Sequence, residues 1–387
     1  MKTKVTSVLA VLMLLTAGVA PVAAASGTSA TQAECSFPAT HTDATGTEVT
    51  VEESPERVTT LSPSAAQTMW ELGAEEQVVG LTQYALYLDG ADSRTNVSAA
   101  GNQTVSVEKV VSTDPDLVLA PNVIPNETVE RLRDAGLTVY KTRFATSLDD
   151  IYAKTERIGE LTGNCEAADE TVASMRDRVE TVEEAVENSE SPRVFVSVGG
   201  GYTAGQGTFV SNMVEVAGGT NIAVEANVSG YKQISEEVIV EQDPEWIVQL
   251  GAYGVYPQTD AYNATTAVQN DQVTTVTNEN ISQPAPRVVN AIVQMAQAFH
   301  PEAYEEANAT AETTTTTEAT TTDEPTTTDA TTDEPTTTEA TTDEGAMAEE
   351  TDTTTGASSD SSSDVPGFGV PAALAALAGA VLLARRY

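Results

Sequence analysis

Positively charged residues are scarce in this chain of 387 residues. Lysine and arginine together number 18, aspartate and glutamate number 58, and the formal net charge is −40. Only 17 of the acids lie in the segment 305–364, so the rest of the chain is strongly acidic as well. Such a surface repels nucleic acid, which proteins bind through clustered Lys and Arg. A dense carboxylate shell with few lysines is favoured in concentrated salt, which screens the repulsion between like charges.

Histidine is almost absent, and this limits the chemistry that the chain can perform. His41 and His300 are the only two, and neither lies at the end of a predicted strand. A His-rich zinc or manganese site is therefore not expected, and no Ser/His/Asp arrangement can be assembled near the predicted cleft, which argues against a hydrolase. We predict a protein without a metal, a cofactor or catalytic residues.

Cysteine is equally scarce, with Cys35 and Cys165 as the only two. In an exported protein two cysteines are expected to form one disulfide, and two free thiols are the alternative. The bond would tie the start of the mature chain to its middle.

The N-terminal segment has the pattern of an export signal. Residues 5–25 are uncharged, follow Lys2 and Lys4, and end in three alanines. This pattern predicts a secretory signal peptide over residues 1–25; a retained membrane anchor is the alternative.

The segment 305–364 is rich in Thr, Glu and Asp and contains a tandem repeat. TTDEPTTTDA at Thr321 is followed by TTDEPTTTEA at Thr331. Such a composition cannot bury a core, so we predict a disordered stalk with O-glycosylated threonines.

The last segment, 365–387, combines Pro366-Gly367-Phe368, a long apolar run and the pair Arg385-Arg386. The run is long enough to cross a bilayer with the positive charge inside. The segment resembles the PGF-CTERM sorting signal of archaeal surface proteins. That resemblance implies an archaeosortase as partner, removal of the helix and attachment of a lipid at the outer face of the membrane. A plain C-terminal transmembrane helix is the alternative.

The stretch 146–189 is predicted to form one long helix. Apolar residues recur at steps of three or four from Ile151 to Val186, which is the spacing of a one-sided helix. Ser147 with Asp150 suits a capped start, and Gly163-Asn164 is the point where the helix can kink.

The segments on either side of this helix resemble each other. SVEKVVSTDPDLVL from Ser106 and SEEVIVEQDPEWIV from Ser235 align without a gap, with Glu108 opposite Glu237. Each predicts a short helix, an Asp-Pro turn and a buried strand. We predict an α/β fold of two similar lobes, 36–145 and 190–304, joined by the long helix and derived from a duplication. The alternative is ordinary reuse of strand and turn patterns.

Strands that alternate with short helices indicate parallel sheets, and ligands bind outside the carboxyl ends of such strands. Those ends, and the loop and first turn of the last helix, carry the polar and aromatic residues predicted to line a cleft. They are Ser62, Ser64, Tyr84, Tyr87, Asn122, Tyr202, Tyr231, Gln283 and Arg287.

Seven N-x-S/T sequons are typical of a glycosylated surface protein, and chance in a Thr-rich chain is the alternative. We predict glycans on six of them, and none on Asn280, which lies in a loop of the predicted cleft. The six are Asn96, Asn102, Asn126, Asn227, Asn263 and Asn308.

Residues 37–304 resemble the helical-backbone substrate-binding proteins of ABC importers, in the cobalamin and iron–siderophore branch. The resemblance is carried by SPERVTTLSPSAAQTMWELGAEEQVVGL, VSVEKVVSTDPDLVLAPN, NETVERLRDAGLTVY and ISEEVIVEQDPEWIV. It implies two α/β lobes that grip a ligand, and a permease with its ATPase as partners. It also places a ligand-covering aromatic at Tyr231 and one docking acid on each lobe, Glu127 and Glu237.

Basic residues near the predicted cleft are few, and this bears on the ligand. Arg143, Lys232 and Arg287 are the candidates, whereas an anionic catecholate siderophore needs several cations. A large, mostly neutral ligand fits better, so we predict cobalamin or a related corrinoid. A hydroxamate siderophore or haem is the alternative ligand. A surface adhesin or cell-wall glycoprotein and an enzyme are the alternatives from other classes.

Overall fold

The structure is a computed structural model that describes residues 35–100 and 105–320. The predicted signal peptide, Asn102, the stalk beyond residue 320 and the C-terminal sorting signal lie outside these residues. Within the described ranges, no helix combines the length and the apolar character needed to cross a membrane.

The first lobe is a five-stranded parallel sheet, preceded by an antiparallel hairpin of β1 (Ala39–Thr42) and β2 (Glu48–Val51). The sheet strands are β3 (Val58–Thr60), β4 (Val78–Leu81), β5 (Thr95–Asn96), β6 (Leu117–Ala120) and β7 (Val139–Lys141). Their order is β5-β4-β3-β6-β7. The helices are α1 (Pro63–Glu71), α2 (Val107–Ser112) and α3 (Asn126–Asp134). All of β6 is buried, as the continuous apolar run LVLA of a doubly covered parallel strand predicts.

The connection between the lobes is a pair of helices, so the prediction of one long helix over 146–189 is wrong. α4 (Leu148–Thr162) and α5 (Cys165–Val186) are separated by Gly163 and Asn164. Gly163 ends α4 with φ at 79°, a left-handed conformation that glycine adopts without steric cost. The predicted start is confirmed, because Ser147 and Asp150 form a capping box.

Each of these two helices reaches from one lobe to the other. α4 places Ile151, near its start, in the second-lobe core and Leu161, near its end, in the first-lobe core. α5 runs the opposite way, with Ala168 in the first-lobe core and Val182 in the second. The two helices therefore form a hairpin that joins the lobes twice.

The second lobe is a four-stranded parallel sheet with an added two-stranded ribbon. Its strands are β8 (Arg193–Ser197), β9 (Tyr202–Ala204), β10 (Thr220–Asn221), β11 (Tyr231–Gln233), β12 (Trp246–Leu250) and β13 (Val273–Val276). The sheet order is β10-β8-β12-β13, and β9 pairs antiparallel with β11. Its helices are α6 (Phe209–Val216), α7 (Ile222–Glu225), α8 (Glu236–Gln242), α9 (Asp260–Asn263), α10 (Thr266–Gln269), α11 (Asn278–Ile281), α12 (Val288–Phe299) and α13 (Pro301–Thr320).

The folded part extends beyond the predicted boundary at residue 304. α13 continues to Thr320 and packs against α5 and α12. Ala307 on this helix is buried. The prediction of a disordered stalk from residue 305 is therefore wrong as far as Thr320.

The two segments predicted to be equivalent have the same local structure. α2 and α8 are each capped by the side chain of the serine that opens its segment. The turn after each helix contains an aspartate with positive φ, 47° at Asp114 and 40° at Asp243. Arg57 and Arg193, at the first strand of each lobe, donate to the backbone carbonyl of that aspartate. This match supports the predicted duplication.

The predicted disulfide between Cys35 and Cys165 is present. Cys165 is the first residue of α5, so the bond fixes the start of the described chain to the turn of the helical hairpin. The β1–β2 hairpin is fixed separately, because the buried Asp43 accepts a hydrogen bond from Arg133 at 2.7 Å.

Candidate ligand cleft at the strand ends

The two predicted serines lie directly after β3, where the chain enters α1. Ser62 is the N-cap of that helix, and its hydroxyl accepts a hydrogen bond from the backbone of Ala65 at 3.2 Å. Ser64 Oγ lies 3.2 Å from Ser62 Oγ and is partly exposed. Ser62 therefore has a structural role in starting α1, and Ser64 is the more accessible of the two hydroxyls.

The two predicted tyrosines of the first lobe differ in environment. Tyr84, in the turn after β4, is exposed. The Tyr87 hydroxyl instead accepts a hydrogen bond from Gln67 Nε2 at 2.8 Å, and burial raises the pKa of Tyr87. Tyr84 offers a free aromatic face, whereas Tyr87 is held by the fold.

Sequence reasoning missed most of the exposed apolar side chains at the strand ends. Phe144, 55% exposed, follows β7, and Tyr253, 77% exposed, follows β12. Three aliphatic side chains share this placement after β4, β6 and β12, and they are Leu86, Val123 and Val255. The predicted Asn122 adjoins Val123 and is half-buried. The sequence did carry a signal for these residues, because each is an apolar residue within the first few positions after a buried strand.

The β9–β11 ribbon carries the predicted tyrosines of the second lobe. Tyr202 lies opposite Gln233, and Tyr231 lies opposite Ala204, so both tyrosines lie on one face of the ribbon. Burial raises the pKa of Tyr231 to about 12, and its ring packs against the second-lobe core. Tyr202 and Tyr231 are both half-buried.

A glycine loop brings the ends of β8 and β12 together. Gly199, Gly200 and Gly201 follow β8, all with positive φ. A Cβ on Gly199 would lie 2.1 Å from the backbone oxygen of Tyr253. The close approach therefore requires glycine there, and it positions the Tyr253 loop.

Three buried hydroxyls at these strand ends have no hydrogen-bond partner within the described part of the chain. They are Thr60 at the end of β3, Thr82 after β4 and Ser197 at the end of β8. Buried polar atoms almost always have a partner in protein, water or ligand. Both sheets therefore offer unused hydrogen-bonding capacity at their carboxyl ends.

The lobes meet at a seam formed by Gln67, Lys154 and the segment 278–287. The buried Gln67 of α1 donates to the backbone oxygen of Glu279 at 3.1 Å and accepts from the backbone nitrogen of Arg287 at 3.3 Å. Lys154 of α4 donates to the backbone oxygen of Pro284. Burial lowers the pKa of Lys154 to about 7. Gln283, predicted to line the cleft, lies in this segment and is half-buried.

Arg287 forms an ion pair across the lobes, with its Nε 2.6 Å from Glu71 Oε1. This pair borders a cavity of about 280 Å³ at the junction of α1, α5 and α12. The cavity lies away from the loops that follow the strands, and it contains another cation, Arg178. The guanidinium of Arg287 is thus committed to Glu71, in contrast to the polar groups at the strand ends.

The two acids predicted to dock a permease are exposed, each in the first turn of a helix. Glu127 lies in α3, which follows β6, and Glu237 lies in α8, which precedes β12. Because these helices run antiparallel to the strands, both acids lie toward the carboxyl ends of the strands. Glu108, in the first turn of α2, has the same position in its lobe as Glu237 has in the second.

The sequons differ in accessibility. Four of the asparagines are exposed, namely Asn96, Asn126, Asn227 and Asn263. Asn280 is half-buried in α11, and Asn308 is half-buried in α13. The Asn126 side-chain oxygen accepts a hydrogen bond from Lys141 at 2.6 Å, and Asn126 directly precedes Glu127.

Comparison with protein families gives two matches. The family described as "Periplasmic binding protein" matches residues 58–280, and the PGF-CTERM motif matches residues 365–387. The first match covers most of both lobes, and the second covers the whole predicted sorting segment.

Among curated proteins, the chain is similar to a cobalamin-binding protein of Halobacterium salinarum. The two are 46% identical over 363 residues, which is 91% of this chain and 89% of the other. Among solved structures, the vitamin B12-binding protein of Vibrio cholerae is 25% identical with a TM-score of 0.55, covering 66% of this chain and 98% of that one. A heme-binding protein of Roseiflexus shares the fold at 23% identity and a TM-score of 0.58, covering 64% and 99%.

Proposed function

The chain belongs to the periplasmic binding protein family, and from that premise we propose that its ligand is cobalamin or a related corrinoid. It is the substrate-binding component of an ABC importer, so its role is binding and delivery rather than catalysis. The observation that carries the choice of ligand is the 46% identity to a cobalamin-binding protein over nearly the whole chain.

The exposed residues at the strand ends suit a large, flat and mostly neutral ligand. Tyr84, Phe144 and Tyr253 offer aromatic faces, which contribute contact area at little cost in side-chain entropy. We propose that the ligand binds between these groups, with Ser64, Asn122, Tyr202, Tyr231 and Gln283 around it.

A ferric siderophore or haem is the second candidate ligand, because heme-binding proteins share this fold. An anionic ligand would require cations at the strand ends. Arg287 is paired with Glu71, and the Lys154 ammonium is enclosed in the seam. Of the three basic residues expected near the cleft, Arg143 and Lys232 are exposed and Arg287 is paired. Two such cations are little positive charge for an anionic ligand, and this favours the corrinoid.

The protein is exported and anchored at the cell surface, as the PGF-CTERM motif at residues 365–387 indicates. We propose that an archaeosortase removes the C-terminal helix and that a lipid replaces it. The permease and its ATPase are the remaining proposed partners. In the second lobe the docking acid is Glu237. In the first lobe there are two candidate docking acids, Glu127, which the family resemblance implies, and Glu108, which the internal repeat places opposite Glu237.

Uptake by whole cells tests this function. Cells of the native host lacking this chain should lose high-affinity accumulation of labelled cyanocobalamin, and the full-length chain should restore it. Unchanged accumulation in the deletion strain would contradict the proposal. Loss of haemin or ferrioxamine uptake instead would establish the second candidate.

A further inference from the structure

Two exposed valines have no evident role in the fold or in the cleft. Eight large apolar side chains are exposed among the described residues, and six of them lie in loops that follow strands. The other two are Val111 of α2, 38% exposed, and Val240 of α8, 55% exposed. Valine is a poorer helix former than most polar residues, so folding does not favour it at a solvent-facing helix position.

The two valines occupy the same position in the two lobes. In the ungapped alignment of the segments that begin at Ser106 and Ser235, Val111 stands opposite Val240. Buried apolar residues precede both, Val110 in α2 and Ile239 in α8. The match therefore holds for the exposed face of each helix as well as for its buried face.

An exposed acid accompanies each valine one helical turn earlier. Glu108 precedes Val111 by three residues, and Glu237 precedes Val240 by three. Residues three apart are neighbours on a helix surface. Each lobe therefore presents one carboxylate beside one aliphatic side chain, which we call the Glu–Val patch. In the first lobe, Arg131 of α3 also lies 4.0 Å from the Glu108 carboxylate.

We infer that Val111 and Val240 are apolar anchors through which the two lobes dock on a partner with two equivalent binding positions. The inference rests on the proposed function, and the partner is a permease made of two copies of one membrane subunit. Each copy would present an apolar pocket beside a basic residue, complementary to one Glu–Val patch. Two matching patches on one chain suit a partner that presents two matching pockets, as a pair of identical subunits does.

Salt gives the valines a specific role in this docking. At about 1 M salt the screening length is only about 3 Å, so a carboxylate attracts a basic partner weakly before contact. Burial of an aliphatic side chain depends on removal from water rather than on charge. Affinity at high salt is therefore carried by the valines, and the acids select the orientation.

The test uses the full chain and the permease–ATPase complex purified from host membranes through a tag on the ATPase. The variant V111S/V240S removes both anchors, and V111I/V240I is the matched control that keeps them apolar. Affinity for the complex is measured at about 1 M NaCl and at higher salt, with cyanocobalamin binding measured on the same samples.

We expect the serine pair to bind the complex more weakly than the native chain, by about tenfold for each valine replaced. The reason is that burying one valine side chain against the partner raises the affinity by about that amount. The loss should persist at high salt, the isoleucine pair should bind as the native chain does, and cyanocobalamin affinity should stay unchanged in both. A serine pair that binds the complex with native affinity would overturn the inference. A native chain that binds the complex but not cyanocobalamin would instead contradict the proposed ligand and leave the docking result valid.

Discussion

At the scale of single residues, the proposed ligand contact depends on exposed aromatic side chains that the fold does not need. Replacing Tyr253 or Phe144 with alanine should weaken cyanocobalamin binding by about 1–3 kcal/mol each, because each ring loses a buried face in the complex. Their exposure means that stability should hardly change. Isothermal titration measures the affinity, and V240A, which removes an exposed apolar side chain of α8, is the control. Native affinity in both aromatic variants would place the ligand elsewhere.

Lys154 makes the stability of the molecule depend on pH. Burial lowers its pKa from 10.5 to about 7, so between these values the unfolded chain binds a proton that the folded chain lacks. The contribution of Lys154 to the free energy of unfolding therefore rises with pH between about 7 and 10.5. Below pH 7 the folded state bears the full cost of burying the charged ammonium. K154M should flatten the slope of unfolding free energy between pH 7 and 10. The measurement is chemical denaturation at several pH values.

The control for this variant is K232M, since Lys232 is an exposed lysine on β11. Its slope should match that of the native chain. An unchanged slope in K154M would show that the ammonium is solvated in the seam.

At the scale of elements, the hairpin of α4 and α5 depends on a close helix contact. A Cβ on Gly159 would lie 2.4 Å from the Cβ of Ala168, so G159A should destabilise the fold by about 1–3 kcal/mol despite alanine's better helix propensity. Thermal or chemical denaturation measures this change. The double variant G159A/A168G removes the clashing methyl and should recover part of the loss. If the stability loss of the double variant equalled the sum of the losses of G159A and A168G, the two positions would not be in contact.

Sequence patterns predicted the ends of α4 and α5 better than their arrangement. The capping residues Ser147 and Asp150 and the break at Gly163 were all recognised. The apolar stripe did not reveal that the chain reverses at that break, because the same residues can pack on either core. The direction is set by tertiary contacts such as Gly159 against Ala168.

The exposed side chains at the strand ends were only partly predictable from the sequence. Parallel sheets place ligands at the strand ends, and this rule selected Tyr84 correctly as an exposed residue. It also selected Tyr87, which the fold holds through Gln67, and it missed Phe144 and Tyr253. Loop residues carry no periodic signal, so exposure and hydrogen bonding become visible only in three dimensions.

At the scale of the whole molecule, delivery requires both lobes to meet the permease. Combining E237A with E108A or with E127A compares the two candidate acids of the first lobe. The internal repeat predicts that E108A/E237A has the larger effect and abolishes uptake of labelled cyanocobalamin, while ligand affinity stays native. A larger loss in E127A/E237A would support the acid implied by the family resemblance. Normal uptake by both pairs would contradict docking through these acids.

The central claim is that the cleft between the lobes binds a corrinoid, and equilibrium titration of the purified chain tests it most directly. Cyanocobalamin, haemin and ferrioxamine are titrated separately in concentrated NaCl, which screens the large negative charge of the chain. The account predicts saturable binding of one cyanocobalamin per chain and much weaker binding of the other two. Saturable binding of haemin or ferrioxamine with none of cyanocobalamin would contradict it.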